Sequence, residues 1–248
     1  MRIKPIIVSQ TEGMKEGLVV FDVDGTLCDT SSVDEECFLS ACADWLGEDV
    51  RQLDWTVAPQ ITDQGILEWL WLELLERPPS PTEVLAVKKR FVLRLKDTCA
   101  RFPGRFRAMP GAADLFRSPQ LESWELVAAT GGWKEAALVK LKAAGLPTAI
   151  LTASSNDTAD RAQVFRLAAS TVSVSKSFHG RVVLVGDGVW DARVACELGW
   201  TFVGVGTGDK AHRLRAAGAR EVVQNFTDLG AFCRALRGSE AAEGYDAG

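Results

Sequence analysis

The amino-acid sequence predicts an α/β protein with a doubly wound parallel sheet, into which a set of α-helices is inserted after the first strand. Short runs of β-branched and apolar residues recur along the chain, each followed by glycine or polar residues and then by a helical pattern. Near-continuous apolar strands that alternate with helices are typical of a parallel sheet covered on both faces. One interval, from Thr30 to about Pro110, shows only helical patterns.

Six segments carry the strand pattern. They are LVVFDV (18–23), ELVAAT (125–130), TAILTAS (148–154), RVVLVGD (181–187), TFVGVGT (201–207) and REVVQNF (220–226). The helix after the second segment has a clear pattern, because Ala137, Leu138 and Leu141 fall on one face. Gly145 and Pro147 then end it. We therefore expect strands joined by crossover helices.

The interval after the first strand predicts three helices. Ser32 and Glu35 match a capping box that begins the first helix, and apolar residues at helical spacing follow them. A second helical pattern occupies residues 66–75. Ser80 and Glu83 form another capping box, which begins the third helix. Roughly 80 residues of helical structure are therefore inserted just after the first strand.

The composition is that of an ordinary globular protein, with 47% apolar and 25% charged residues in a chain of 248. The net charge of −5 gives no reason to expect a nucleic-acid or membrane partner, and no apolar run approaches the roughly 18 residues of a membrane span. The six cysteines lack a C-x-x-C pair and lie among apolar neighbours, which indicates reduced thiols and a cytoplasmic protein. Residues 1–16 and 238–248 are expected to be tails.

Polar side chains follow three of the predicted strands. Asp22 and Asp24 come after the first strand, Thr130 after the second, and Asp187 and Asp191 after the fourth. In open parallel sheets, ligands bind beyond the carboxyl ends of the strands, near the point where the strand order reverses. Carboxylates so close together raise one another's pKa unless a cation lies among them. Because these ligands are oxygen atoms only, the four aspartates predict a Mg²⁺ site.

The same residues suit phosphoryl transfer. A carboxylate beside Mg²⁺ can attack phosphorus and form an aspartyl-phosphate. A second carboxylate two residues away can protonate the leaving group and later activate water. Thr130, followed by Gly131 at a helix start, can hold a phosphate with its hydroxyl and the neighbouring backbone N–H groups. Each motif alone is more often a turn, a cap or a loop, but their order at successive strand ends favours the functional interpretation.

At these motifs the chain resembles the haloacid dehalogenase-like (HAD) hydrolases. FDVDGTL (21–27) resembles the family's first motif, hhhDxDGT; AAT (128–130) matches the second and VGDGVWD (185–191) the fourth, GDxxxD. The resemblance covers about residues 17–235. It implies a Rossmann-like core formed by residues 17–29 and 109–235, with the inserted helices of residues 30–108 forming a C1-type cap that closes over the site and selects substrate.

The resemblance also implies a role for each matching position. Asp22 becomes the nucleophile and a Mg²⁺ ligand. Asp24 becomes the general acid/base, with its backbone carbonyl also on the metal. Thr130 binds the transferring phosphoryl group, while Asp187 and Asp191 support the metal.

The family's third motif is where the sequence departs from the pattern. The family has a lysine, often followed by proline, between its second and fourth motifs, and no Lys-Pro occurs there. Arg161 lies about midway between Thr130 and Asp187, and arginine can bind phosphate oxygens in a bidentate manner. Lys134 and Lys176 are the alternatives. The sequence leaves the choice among these three residues open.

The implied function is a Mg²⁺-dependent phosphatase acting on a small phosphorylated metabolite, in the branch that holds phosphoglycolate phosphatases and phosphomutases. Asp24 argues against a dehalogenase, because halide leaves without protonation. A phosphomutase of the same family and a non-catalytic binding or regulatory protein on the same fold are the alternatives. Trp133 and Trp190 flank motif residues, and one of them is expected to border the substrate. The identity of the substrate is not determined, nor is the choice between a monomer and a small homo-oligomer.

Overall fold

Strands and helices alternate along the chain as the sequence predicts. The computed structural model describes residues 15–173 and 180–238, so most of both expected tails lies outside the described residues. The strands are β1 (Gly17–Phe21), β2 (Cys28–Asp29), β3 (Arg107–Ala108), β4 (Trp124–Thr130), β5 (Leu151–Ser154), β6 (Arg181–Gly186), β7 (Thr201–Val205) and β8 (Glu221–Val223). The helices are α1 (Ser31–Leu46), α2 (Asp63–Leu75), α3 (Pro81–Arg101), α4 (Ala112–Leu115), α5 (Lys134–Ala143), α6 (Arg161–Ser173), α7 (Val189–Leu198), α8 (Gly208–Ala216) and α9 (Leu229–Arg237).

Six strands form one parallel sheet in the order β5-β4-β1-β6-β7-β8, which confirms the predicted fold class. Each of the six sequence segments that carried the strand pattern contributes one of these strands. β1 lies between β4 and β6, so the three strands that precede the polar motifs are neighbours. The strand order reverses beside β1, which is where open α/β sheets bind their ligands.

Both faces of the sheet are covered. Val19 and Phe21 of β1 point into a hydrophobic cluster shared with α5 and α9. Leu18 and Val20 point the other way, into a cluster shared with α6 and α7. Because side chains alternate between the faces of a strand, a strand covered on both sides must be apolar at every position, and all five residues of β1 are buried.

The insertion that contains α1, α2 and α3 leaves and rejoins the sheet through a short antiparallel ribbon formed by β2 and β3. In this ribbon Cys28 of β2 pairs with Ala108 of β3, and Asp29 pairs with Arg107. Helices α1, α2 and α3 have a hydrophobic cluster of their own, to which Trp133 contributes from the start of α5. No helix among the described residues combines the length and the hydropathy that a membrane span requires.

The two predicted capping boxes differ in outcome. Ser80 and Glu83 form a capping box at the start of α3, as predicted. The capping box predicted for Ser32 and Glu35 is wrong, since the N-cap position of α1 is Thr30, two residues before Ser32. The Thr30 hydroxyl caps no backbone N–H group there. It donates a hydrogen bond to the Asp24 carboxylate instead, at 2.6 Å. The start of α1 is thereby bonded to the turn after β1.

Candidate active site

Three aspartates converge at the carboxyl ends of β1 and β6. Asp22 follows β1 directly, and its N–H group donates to the Val185 carbonyl at 2.9 Å. Asp187 follows β6, and Asp191 lies in the first turn of α7. One carboxylate oxygen of each aspartate lies within 4.8 Å of the others. The parallel register brings them together, because neighbouring strands end at the same edge of the sheet.

Arg161 joins this group from the start of α6. Its Nη2 atom lies 3.1 Å from Asp22 Oδ1 and 2.6 Å from Asp191 Oδ1. Its Nη1 atom donates to the Ile61 carbonyl of the insertion at 2.8 Å. The side chain is buried, with 7% of its surface exposed. A guanidinium therefore lies directly against the two carboxylates that the strand ends present.

Burial shapes the electrostatics of the cluster. It raises the pKa of Asp22 well above its usual range, and the Asp191 carboxylate raises it further, against the opposing effect of Arg161. Burial also raises the pKa of Asp187 to about 6, although the Lys210 ammonium opposes this from 2.5 Å. Carboxylate oxygens are the donors that a hard divalent ion accepts, and a cation among three carboxylates this close together offsets their mutual repulsion. Asp22, Asp187 and Asp191 thus fit a metal ion.

The Asp24 carboxylate has different partners. Its Oδ1 atom accepts from the Thr30 hydroxyl and its Oδ2 atom from Lys140 Nζ at 2.5 Å. Lys140 Nζ also lies 2.5 Å from Asp34 Oδ1. Burial works to lower the pKa of Lys140, but the carboxylates of Asp24 and Asp34 raise it above its usual range. Lys140 therefore remains protonated in a fully buried position.

Lys140 and Asp34 were not predicted from the sequence. A signal for Lys140 was present, because the buried positions of α5 are Ala136, Ala137, Lys140 and Leu141. These positions fall on one face of a helix, so a lysine occupies the apolar stripe. A lysine at such a position needs a buried carboxylate as its partner.

Thr130 and Gly131 end β4 beside the insertion. Thr130 is buried, and its hydroxyl oxygen accepts the Gly132 N–H group at 2.9 Å. The Gly131 carbonyl accepts the Asp63 N–H group, and Asp63 Oδ2 accepts the Trp133 N–H group, both at 2.7 Å. The start of α2 is thereby fixed against the loop that carries Thr130.

The three candidates for the third motif lie in different surroundings. Arg161 lies within the carboxylate cluster, as described above. The Lys134 side chain is exposed at the start of α5, where its backbone N–H group donates to Asn156. Lys176 lies outside the described residues. Of the two described candidates, only Arg161 contacts a site aspartate.

A cavity of about 570 Å³ lies over Asp22, Asp24, Asp187 and Arg161, between the sheet edge and the insertion. Trp190 lines it from α7 and Trp55 lines it from the insertion, with their ring centroids 5.8 Å apart. Trp55 Nε1 donates to Glu35 at 2.8 Å, which fixes the indole ring. Trp133 is instead buried against Phe38 and does not line the cavity.

Comparison with protein families decides the relationship of this chain. The family model of the haloacid dehalogenase-like hydrolases matches residues 17–199, which include β1, the insertion, β4, β6 and α7. The chain belongs to the haloacid dehalogenase-like hydrolases. The carboxylate cluster of this HAD hydrolase, formed by Asp22, Asp187 and Asp191, lies within the matched region.

Solved structures share the fold of this HAD hydrolase. CbbY from Rhodobacter sphaeroides in complex with phosphate is 24% identical, with a TM-score of 0.62, over 88% of this chain and 97% of that chain. A CbbY variant in complex with xylulose-(1,5)bisphosphate is 23% identical, with a TM-score of 0.61 and the same coverage of both chains. A candidate β-phosphoglucomutase from Bacteroides vulgatus is 14% identical, with a TM-score of 0.64, over 91% of this chain and 90% of that chain. No curated protein matches the chain.

Replacement of Gly25 is predicted to destabilise this HAD hydrolase more than replacement of Gly145. Both glycines have positive φ angles, +77° and +71°. A Cβ atom on Gly25 would lie 2.0 Å from Asp187 Oδ2, whereas one on Gly145 meets nothing within 4 Å. We expect Gly145→Ala to lower the free energy of unfolding by about 1 kcal/mol and Gly25→Ala by roughly 3 kcal/mol. Urea unfolding of both variants measures this, and equal losses would contradict it.

The stability of the protein is predicted to fall as pH rises, in part through Asp63. Burial raises the pKa of Asp63 to about 8, so the folded state keeps a proton that the unfolded chain loses near pH 3.8. Asp63 makes its full contribution to the free energy of unfolding below about pH 4. This contribution is lost progressively as the pH rises to about 8. Asp63→Asn removes the charge and keeps an oxygen for the Trp133 N–H group.

We therefore expect the unfolding free energy of Asp63→Asn to exceed that of the unchanged protein by at least about 1 kcal/mol at pH 8 and to match it near pH 4. Urea unfolding in EDTA at several pH values measures the difference. A constant difference across the range would show that Asp63 carries no shifted proton.

Proposed function

We propose that this HAD hydrolase is a Mg²⁺-dependent phosphatase that hydrolyses a small phosphorylated metabolite through an aspartyl-phosphate on Asp22. The observation that carries the proposal is the meeting of Asp22, Asp187, Asp191 and Arg161 in one cluster. Asp22, Asp24, Asp187 and Arg161 line the cavity above it. Nucleophile, metal ligands and a phosphate-binding cation are the parts that phosphoryl transfer through a carboxylate requires.

The metal ligands in this proposal are the carboxylates of Asp22, Asp187 and Asp191, together with the backbone carbonyl of Asp24. When bound, Mg²⁺ neutralises these carboxylates and supplies positive charge beside the transferring phosphoryl group. The donor set supports Mg²⁺ over a soft ion, because neither histidine nor cysteine belongs to it.

In the first half-reaction, Asp22 attacks phosphorus and its new oxygen–phosphorus bond forms as the bond to the leaving oxygen breaks. Asp24 gives a proton to that leaving oxygen. Arg161 and the Thr130 hydroxyl, with the Gly131 N–H group, hold the phosphoryl oxygens. These contacts fix the phosphoryl group in line with the nucleophile.

In the second half-reaction, water attacks the phosphorus of the aspartyl-phosphate. Asp24 takes the proton of that water, the bond between phosphorus and Asp22 breaks, and inorganic phosphate leaves. The Asp22 carboxylate and the Asp24 proton are thereby restored, so the cycle balances.

We further propose that the insertion, residues 30–108, is a cap on a core of residues 17–29 and 109–235. Contacts from Ile61 to Arg161 and from Asp63 to Gly131 support this assignment, because they close the insertion over the cluster. The cavity volume suits a small metabolite, and Trp55, Glu35 and Trp190 line it. CbbY, of the same fold, was solved with phosphate and with a sugar bisphosphate, which supports testing phosphorylated sugars first.

Hydrolysis of phosphate monoesters tests the proposal. We expect the protein to release phosphate from members of a panel of sugar, nucleotide and glycolate phosphates in the presence of Mg²⁺. EDTA and the variant Asp22→Asn should each lower turnover at least about 1,000-fold, since both remove a required part of the same step. Isomerised sugar phosphate without net phosphate release would indicate a phosphomutase instead. No turnover on the whole panel would favour a binding role.

Arg161 is predicted to be the residue that fills the third motif. Arg161→Ala should lower kcat/KM on the order of 100-fold, because it removes a charged hydrogen-bond donor to the phosphoryl group. Arg161→Lys keeps a positive charge and should lower kcat/KM by a smaller factor than Arg161→Ala. Lys134→Ala and Lys176→Ala should each have smaller effects than Arg161→Ala in the same assay. A larger loss in either lysine variant would contradict the assignment.

A further inference from the structure

Lys140 is the most unusual charged residue of α5. It lies near the middle of the helix, on the face that packs into the protein, and none of its surface is exposed. Burying an ammonium group is costly unless carboxylates and hydrogen bonds compensate. An apolar residue at this position would match its neighbours Ala136, Ala137 and Leu141 on the same face. Packing alone therefore does not account for a lysine at this position.

The contacts of Lys140 connect two parts of the molecule. Its Nζ atom lies 2.5 Å from Asp24 Oδ2, in the turn after β1, and 2.5 Å from Asp34 Oδ1, in the first turn of α1. Asp24 belongs to the segment that carries the nucleophile, and Asp34 belongs to the helical insertion. One ammonium group thus joins the proposed acid/base residue to the insertion.

Both oxygens of Asp24 are engaged by donors. Thr30 donates to Oδ1 at 2.6 Å, and Lys140 donates to Oδ2. Two hydrogen bonds from different elements fix the rotation of a carboxylate about its side-chain bonds. A displacement of about 1 Å in a reacting group can cost on the order of 100-fold in rate. A residue that fixes this carboxylate therefore acts on catalysis without contact with the substrate.

We propose that Lys140 is the positioning residue of Asp24, and that Asp34 of the insertion anchors Lys140 in turn. The inference rests on the proposed function, because it assigns Lys140 to the step in which the Asp24 carboxylate takes a proton from the attacking water. In that step the water oxygen bonds to phosphorus, its proton goes to Asp24, and the bond between phosphorus and Asp22 breaks. Lys140 neither gives up nor takes a proton in this step and acts only through the hydrogen bond that orients Asp24.

The test uses p-nitrophenyl phosphate, whose leaving group departs without help from an acid. Loss of the positioning residue should then slow hydrolysis of the aspartyl-phosphate and spare its formation. For Lys140→Met in Mg²⁺ we expect kcat to fall on the order of 10- to 100-fold, with kcat/KM within about threefold of the unchanged protein. Rapid mixing should show a burst of close to one p-nitrophenolate per active site. Met is similar in length to Lys and carries no charge.

Two further variants complete the experiment. Lys142→Met removes an exposed lysine from the same helix and should change neither kcat nor the burst. Asp34→Asn leaves the pair of Lys140 and Asp24 intact and should lower kcat in the same direction by a smaller factor. It supplies the readout if Lys140→Met does not fold, which circular dichroism establishes.

The outcomes separate the two proposals. Absence of turnover by the unchanged protein on every substrate overturns the phosphatase function, and the positioning role with it. An active unchanged protein with equal losses of kcat and kcat/KM in Lys140→Met, and no burst, overturns the positioning role alone. An unchanged kcat in both Lys140→Met and Asp34→Asn does the same.

Discussion

The constraint on which this molecule depends is the repulsion among six acidic side chains gathered at one edge of its sheet. Two like charges about 4 Å apart repel by about 4 kcal/mol in the partly screened surroundings of a protein. Three buried or half-buried cations offset this repulsion, and each has its own set of partners. Arg161 contacts Asp22 and Asp191, Lys140 contacts Asp24 and Asp34, and Lys210 contacts Asp187. Asp63, the sixth, avoids the repulsion by keeping its proton, because burial raises its pKa to about 8, and it accepts a backbone N–H group.

Much of the fold follows from local patterns in the sequence. The apolar segments that became β1, β4 and β6 pack on both faces over most of their length, so apolar residues fill most of their positions. The position of Asp22 then follows, because a charge directly after such a segment must lie at the end of the strand. The convergence of Asp22, Asp187 and Asp191 needs only that parallel strands end at one edge.

Contacts between the insertion and the sheet edge could not be derived in the same way. Asp34 and Asp63 reach the site because α1 and α2 pack over it, and the packing of helices is set by their side chains and not by their periodicity. The capping box predicted at Ser32 was wrong for a related reason. The N-cap position is Thr30, whose hydroxyl donates to the Asp24 carboxylate and caps no backbone N–H group, so the start of α1 depends on a contact formed only in the folded protein. Arg161 could be named as one of three candidates from its position along the chain, but its contacts with Asp22 and Ile61 depend on the folded arrangement.

The ribbon of β2 and β3 has a consequence for how this chain can vary. The insertion leaves the sheet at Asp29 and returns at Arg107, and these two residues are paired side by side. Because its two ends are adjacent, the long helical insertion constrains the rest of the molecule no more than a tight hairpin would. Its length and sequence can therefore change without stretching or shifting β1 against β4. New binding specificities can arise in such a segment while the strand ends keep their alignment.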